Sequence, residues 1–294
     1  MTDIAVIGVG VMGSAIAGRL IATGATVHVF DAMPGKTDDL VAIGAISTRS
    51  AAEATAASKY VITSLNSAAI VERAVFGPEG VAAAASADKL LVDMSSIDAA
   101  RTAEMADRLA RDTGMGWVDA PLSGGAPAAA KGTLTLMLGG SATDVMLAEP
   151  LLSRLSTNFN HMGASGAGQT VKLINQILCA NTFMAVAEAV RFAEAHGVDG
   201  TLIPAALAGG RADSRIMQEY MAKMARRDFS PTGRIDNMLK DLETVQSAAQ
   251  VKKLALPVTS LIADLHRMLV AGGLGAADSA EYVRLFDLGA ETAA

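Results

Sequence analysis

The feature that most constrains this chain is a glycine cluster close to its start. Ile4-Ala5-Val6-Ile7 is a short apolar run with β-branched residues, followed at once by Gly8-Val9-Gly10-Val11-Met12-Gly13. A helical pattern with Ile16 and Leu20 on one face comes next. A second β-type run, Thr26–Phe30, then ends at Asp31. Strand, glycine turn, helix, strand and terminal acid in this order fit a βαβ unit that binds a dinucleotide, the alternative being a plain glycine-rich turn in another α/β sheet. Gly8 allows the tight turn, Gly10 lets the backbone approach a pyrophosphate, and Gly13 lets the helix pack closely on the sheet. Free amides at the helix start favour phosphate charge. Val11 and Met12, inside the same turn, count with these cofactor contacts. Asp31 lies 18 residues beyond Gly13, where an acid accepts hydrogen bonds from the adenosine ribose and repels a 2′-phosphate. NAD is therefore favoured over NADP, with Lys36 nearby as the one residue that softens the preference.

More α/β units follow. Tyr60–Leu65 is a strand pattern leading to Asn66-Ser67, and Lys89–Met94 is another leading to Ser95-Ser96. Helices are predicted over Ala68–Phe76, closed by Gly77-Pro78, and over Ala99–Thr113. Gly116–Pro121 begins a further strand and loop, Leu134–Leu138 a strand with a glycine stop, and Asn158–Met162 a last short strand. Ala142–Arg154 reads as a helix broken or kinked at Pro150. In open parallel sheets ligands sit beyond the carboxyl ends of the strands, where Asn66, Ser96 and Ser123 fall. From Gln169 onward no β-type run occurs, and helical patterns cover about 169–196, 201–225, 234–253 and 257–271. The predicted architecture is thus α/β. A Rossmann domain over residues 1–165 is followed by an all-helical domain over 166–294, and 294 residues leave room for both.

Composition narrows the function classes. With 24 Lys+Arg against 30 Asp+Glu, the net charge is −6 and no basic stripe marks a nucleic-acid face. Hydrophobic residues make up 51% of the chain, but no window gives about 18 consecutive bulky apolar residues free of charges and helix breakers, so no membrane partner is expected. The opening residues lack a signal-peptide pattern, and one cysteine, Cys179, forms no internal disulfide. A reducing cytoplasm is the expected location. The four histidines have no ligand-like spacing, so no metal site is expected.

Three constellations can carry chemistry. In Asp119-Ala120-Pro121-Leu122-Ser123-Gly124-Gly125, continuing to Gly132, two glycines after a serine expose backbone amides suited to a carboxylate; a wide turn between strands accounts for the same residues. In Gly166–Asn175, Lys172 and Asn175 are three apart on a predicted helix and share a face. Among Val171, Leu173, Ile174 and Ile177, Lys172 either snorkels to water or is buried, and burial lowers a lysine pKa toward neutrality. Asn237–Leu242 pairs Asn with Lys240 at the same spacing, in a setting usually occupied by solvated surface. Arg211, with Ser214 and Arg215, either binds an acidic substrate or caps and solvates a helix. Carbonyl reduction with a nicotinamide cofactor, needing one proton donor and no metal, fits this inventory.

Taken together, the glycine turn with Met12, the Asp119–Gly132 loop, the Gly166–Asn175 helix and Lys240-Asp241-Leu242 resemble, in order and over nearly the whole chain, the β-hydroxyacid dehydrogenase family. That family includes 3-hydroxyisobutyrate dehydrogenase-like and tartronate semialdehyde reductase-like enzymes. The resemblance implies a long interdomain helix and a homodimer or homotetramer. It implies NAD(P)-dependent interconversion of a small 3-hydroxy acid and its aldehyde or keto acid. Lys172 would be general acid/base and Asn175 would position the substrate. Ser123, Gly124 and Gly125 would bind the substrate carboxylate. Leu65, Asn66 and Ser96 would line the cofactor, and Lys240 would reach its nicotinamide end. Two departures stand out. Leu65-Asn66-Ser67 replaces a frequent Leu-Pro, and Ala128 replaces a common loop glycine. Imine reductases of similar architecture usually lack the lysine, so Lys172 argues for a hydroxy acid. A reductase of a bulkier carbonyl or an imine, or an NAD-binding redox sensor without turnover, are the alternatives.

Overall fold

The computed structural model describes residues 3–287. Its chain divides into two compact units, 1–172 and 173–294. The first is built on strands β1 (Asp3–Ile7), β2 (Thr26–Phe30), β3 (Ile46–Ser47), β4 (Tyr60–Thr63), β5 (Leu90–Asp93), β6 (Gly116–Asp119), β7 (Leu122–Ser123), β8 (Leu134–Gly139) and β9 (Ser156–Gly163). The first six lie parallel in the order β3-β2-β1-β4-β5-β6. This is the strand order of dinucleotide-binding folds, with its switch point between β1 and β4. β8 runs antiparallel to β6 and β7 and parallel to β9. Central strands are covered on both faces, which is why β4 and β5 are buried at every residue.

Helices α1 (Val11–Ala22), α2 (Asp38–Ala42), α3 (Ala51–Ala56), α4 (Ala68–Phe76), α5 (Ala99–Thr113), α6 (Gly125–Lys131) and α7 (Ala142–Leu152) belong to this unit. One core gathers Ile4, Val6, Ile16, Leu20, Val29 and Leu136, and another Ile7, Val61, Leu91, Leu109 and Trp117. Ser67 and Asp98 cap α4 and α5 through bonds from Ile70 N and Arg101 N. Two expectations are corrected here. The stretch after Gly124, expected to be loop, forms α6. Its Pro127 falls in the first turn, where no helical N–H is needed. The break expected at Pro150 does not occur, and α7 continues to Leu152. The carbonyl that loses its partner belongs to Met146, an exposed residue.

α8 (Ala167–Ala195) starts in the first unit and continues without interruption into the second. It is long and apolar enough to cross a membrane by length and composition, a test that core helices also pass. Ala180, Phe183, Met184, Ala187 and Val190 place one face of it in the core of the second unit. That unit adds α9 (Ile203–Leu207), α10 (Arg215–Arg226), α11 (Ile235–Val251) and α12 (Pro257–Leu269). The single helix expected over 201–225 is two. Gly209 has φ +75° and its N–H donates to Asp213 Oδ2, while Ser214 caps α10 through Met217 N. Those caps settle the role of Ser214. Arg215 pairs with Glu219 on the same helix. His266 is buried, its Nδ1 donating to the Ile262 carbonyl and its Nε2 bonded to Tyr282 Oη.

Candidate active site

The glycine turn stands at the carboxyl end of β1. Gly8 has φ +87°, and a Cβ at Gly13 would sit 1.9 Å from the Gly8 carbonyl oxygen, so α1 meets the turn at a distance only glycine permits. Gly10 differs. A Cβ there would meet nothing within 4 Å, leaving its backbone exposed for a ligand to approach. Val11 is exposed beside it and Met12 is half-buried against the core.

Asp31 is wired into this turn. Its Oδ2 accepts from Val9 N at 2.9 Å and its Oδ1 from Met33 N at 2.9 Å. A carboxylate has about four acceptor positions, so the two amides orient Asp31 and leave capacity for hydroxyl donors. Gly8, Gly10, Asp31, Leu65 and Asn66 line one cavity of about 770 Å³. Sequence-derived candidates beyond the carboxyl ends of β1, β2 and β4 are thus brought together. Lys36 and Arg73 line it as well, and Arg73 went unnoticed in the sequence because a helix-face arginine carries no motif. The open backbone at Gly10, the acceptor at Asp31 and the volume suit the adenosine and pyrophosphate of a dinucleotide.

Beyond β4, β5 and β6 lies a buried polar network that sequence reasoning largely missed. Asp93 and Asp119 are register partners at the strand ends, and both are fully buried. Thr63 Oγ1 donates to Asp93 Oδ1 at 2.8 Å, as does Ser95 N at 3.1 Å. Oδ2 of Asp93 has no hydrogen-bond partner among the described residues. Burial raises Asp93 from its ordinary 3.8 to about 6, against the lowering effect of the Ser95 and Thr63 bonds, and the neighbouring Asp119 charge adds to the rise. Asp119 accepts from Gly166 N at 2.8 Å and Gln169 N at 3.1 Å, holding the start of α8. Burial raises its pKa, opposed by those backbone bonds. Gln169 donates through Nε2 to Ser95 O at 2.8 Å and accepts from Ile97 N. Ser95 Oγ in turn accepts from Leu65 N. The sheet edge therefore grips the helix that carries Lys172 one turn later. The available signal was an acid closing each of two apolar strands, Leu90–Asp93 and Gly116–Asp119.

Lys172 is 9% exposed, so the snorkelling alternative does not hold. Asn175, on the same helix three residues on, is half-buried. Ser96 is half-buried beside Ser95. Ser123 ends β7, and Gly124 (φ +120°) and Gly125 (φ +66°) are exposed at the start of α6. Ala128, the departure from a common loop glycine, packs in the core. Its methyl lies 2.6 Å from where a Cβ on Gly124 would stand, so the small residue is required at 124. In the second unit, Arg211 is exposed, and Lys240 on α11 sits 3.2 Å from Asp241 Oδ1.

The sheet order, the glycine turn and the helical second unit define a nicotinamide-dependent dehydrogenase class. The NAD binding domain of 6-phosphogluconate dehydrogenase matches residues 3–163, and the NAD-binding family of NADP-dependent 3-hydroxyisobutyrate dehydrogenase matches residues 166–286. The chain is 35% identical to 2-hydroxy-3-oxopropionate reductase of Escherichia coli over 282 residues, 96% of each chain. It is 34% identical to NAD-dependent L-serine dehydrogenase of Pseudomonas aeruginosa, over 98% of each. A solved 3-hydroxyisobutyrate dehydrogenase of Mycobacterium tuberculosis with L-serine superposes with TM-score 0.88 at 30% identity, covering 97% of this chain and 99% of that one. The chain belongs to the β-hydroxyacid dehydrogenase family and is an NAD(P)-dependent oxidoreductase acting on hydroxy acids.

Proposed function

We propose that the protein interconverts a small 3-hydroxy acid and its aldehyde or keto acid, with Lys172 as general acid/base and NAD as preferred cofactor. The burial of Lys172, on a helix whose first turn is held by the sheet's carboxyl edge, carries this reading. Gly8, Gly10, Val11, Met12, Gly13, Asp31, Leu65, Asn66 and Ser96 would hold the dinucleotide. When bound, it supplies a hydride to the carbonyl carbon or takes one from the alcohol. Lys172, as ammonium, gives a proton to the carbonyl oxygen during reduction. In the reverse direction the neutral amine takes it from the alcohol. The Ser123-Gly124-Gly125 turn is assigned to the substrate carboxylate and Asn175 to the orientation of the reacting group. Arg211 and Lys240 are assigned to substrate and cofactor charge. The functional division is placed at 165/166, which the two family matches support.

Lys172→Ala should lower kcat by about 100- to 10,000-fold, the usual contribution of a positioned acid/base, while NADH binding persists. Turnover close to the parent's would overturn the assignment. Rates with NAD and NADP against glycerate, 3-hydroxyisobutyrate, L-threonate and 3-hydroxypropionate identify the substrate. A faster rate with NADP would shift the cofactor reading toward Lys36 and Arg73. A cytoplasmic location fits the solitary Cys179. A homodimer or homotetramer fits the exposed Val258, Leu261 and Met268 of α12, and light scattering decides it.

A further inference from the structure

A chain of hydrogen bonds inside the second unit ends on Asn175. Asp241, on α11 and 8% exposed, accepts at Oδ2 from Gln176 Nε2 at 2.6 Å. The same Nε2 directs its other hydrogen at Met238 Sδ, 3.6 Å away. Gln176, itself 8% exposed, accepts at Oε1 from Asn175 Nδ2 at 2.9 Å. Asp241 also pairs at Oδ1 with Lys240 Nζ.

The polarity of this chain follows from chemistry. An ionised carboxylate only accepts, whereas a primary amide donates at one end and accepts at the other. Asp241 therefore forces Gln176 to present its nitrogen. Gln176 must then turn its oxygen toward Asn175, and Asn175 must meet that oxygen with its own nitrogen. The remaining end of Asn175, Oδ1, is an acceptor. Without the carboxylate the preference for this orientation of the Gln176 amide weakens, and with it the preference of Asn175 for presenting its oxygen.

We propose that Gln176 and Asp241 are positioning residues that lock the Asn175 amide with its oxygen toward the substrate, and so select a ligand that brings a hydroxyl donor. The inference rests on the reading of Asn175 as a substrate-orienting residue. It deepens that reading by naming what is recognised: the proton of the reacting hydroxyl. Lys172 then handles the oxygen's proton transfer, and Asn175 sets the direction in which the O–H lies. Losing one such hydrogen bond costs about tenfold in affinity.

The test separates hydroxyl recognition from general support of the helix. The parent is first assayed for oxidation of glycerate, 3-hydroxyisobutyrate and 3-hydroxypropionate. For the best of them, the Lys172→Ala enzyme holding NAD+ is titrated calorimetrically with that acid and with its counterpart lacking the 3-hydroxyl: lactate, isobutyrate or propionate. Adding Gln176→Met, which fills the same volume without hydrogen bonds, should weaken the hydroxy acid about tenfold and leave the deoxy acid within about twofold. Asp241→Asn should give the same hydroxyl-specific loss at similar melting temperature. Equal weakening of both acids, or of neither, overturns the inference. Failure of the parent to oxidise any of the three or L-threonate overturns the functional reading beneath it, and is seen before any variant is made.

Discussion

At Gly13 in the sheet unit, room for one more carbon ends 1.9 Å from a carbonyl oxygen; at Gln176 in the helical unit, what counts is which end of an amide faces Asp241. The dinucleotide surface proposed for the first unit is made mainly from backbone. Glycines bring main-chain atoms close, and Asp31 is aimed by two amides. Among its described residues the second unit has no comparable backbone approach, and side chains hand hydrogen bonds from α11 to α8. A backbone site fails by steric exclusion, abruptly. A side-chain relay fails by loss of direction, and the fold survives it.

Gly13→Ala puts this contrast under the largest strain. With no side chain to yield, α1 must move off the turn, and we expect loss of measurable NADH binding together with a lowered melting temperature. Gly10→Ala breaks the comparison differently. Its φ of −65° and the open space around it suit alanine, so the melting temperature should stay put while the KM for NAD rises about tenfold or more. If both variants bind NADH like the parent, the turn does not hold the pyrophosphate.

Asp93→Asn sharpens the account of the sheet edge. A folded-state pKa of about 6, above the ordinary 3.8, means the native state binds the proton more tightly than the unfolded chain does. Stability from this group is fully present below pH ~4 and is lost as pH rises through ~6. The neutral amide escapes that loss. Asp93→Asn should therefore melt higher than the parent at pH 8, with the gap closing toward pH 4. A gap that widens on acidification would refute the burial argument. The smallest effect is expected inside the second unit. Tyr282→Phe removes the hydroxyl that meets His266 Nε2, and should cost about 1 kcal/mol in denaturant melts with kcat unchanged.

What was legible in the sequence follows the same divide. The βαβ unit announces itself because glycine, β-branched run and terminal acid act within some thirty residues of one another, and local sterics decide the outcome. α4 and α5 were equally plain, since Ser67 and Asp98 cap them from adjacent positions. Gln169 was not, because its partners Ser95 and Ile97 lie more than seventy residues earlier. The relay from Asp241 to Asn175 spans a similar separation, and nothing in Asn175-Gln176 by itself distinguishes an oriented amide from a solvated one. α6 was misread for a local reason: two glycines and a proline, which suggest a loop, are compatible with a helix when they fall in its first turn.

The continuity of α8 has a consequence for how such a chain can change. Lys172 and Asn175 occupy successive turns of one uninterrupted rod, so their mutual angle is a matter of phase, fixed by counting residues. A single residue inserted between them would rotate Asn175 about the helix axis by about 100° relative to Lys172. Loops elsewhere can lengthen or shorten without touching that angle. Length variation is therefore barred from this short interval even where the side chains within it are free to differ. The spacing is a count the chain must keep.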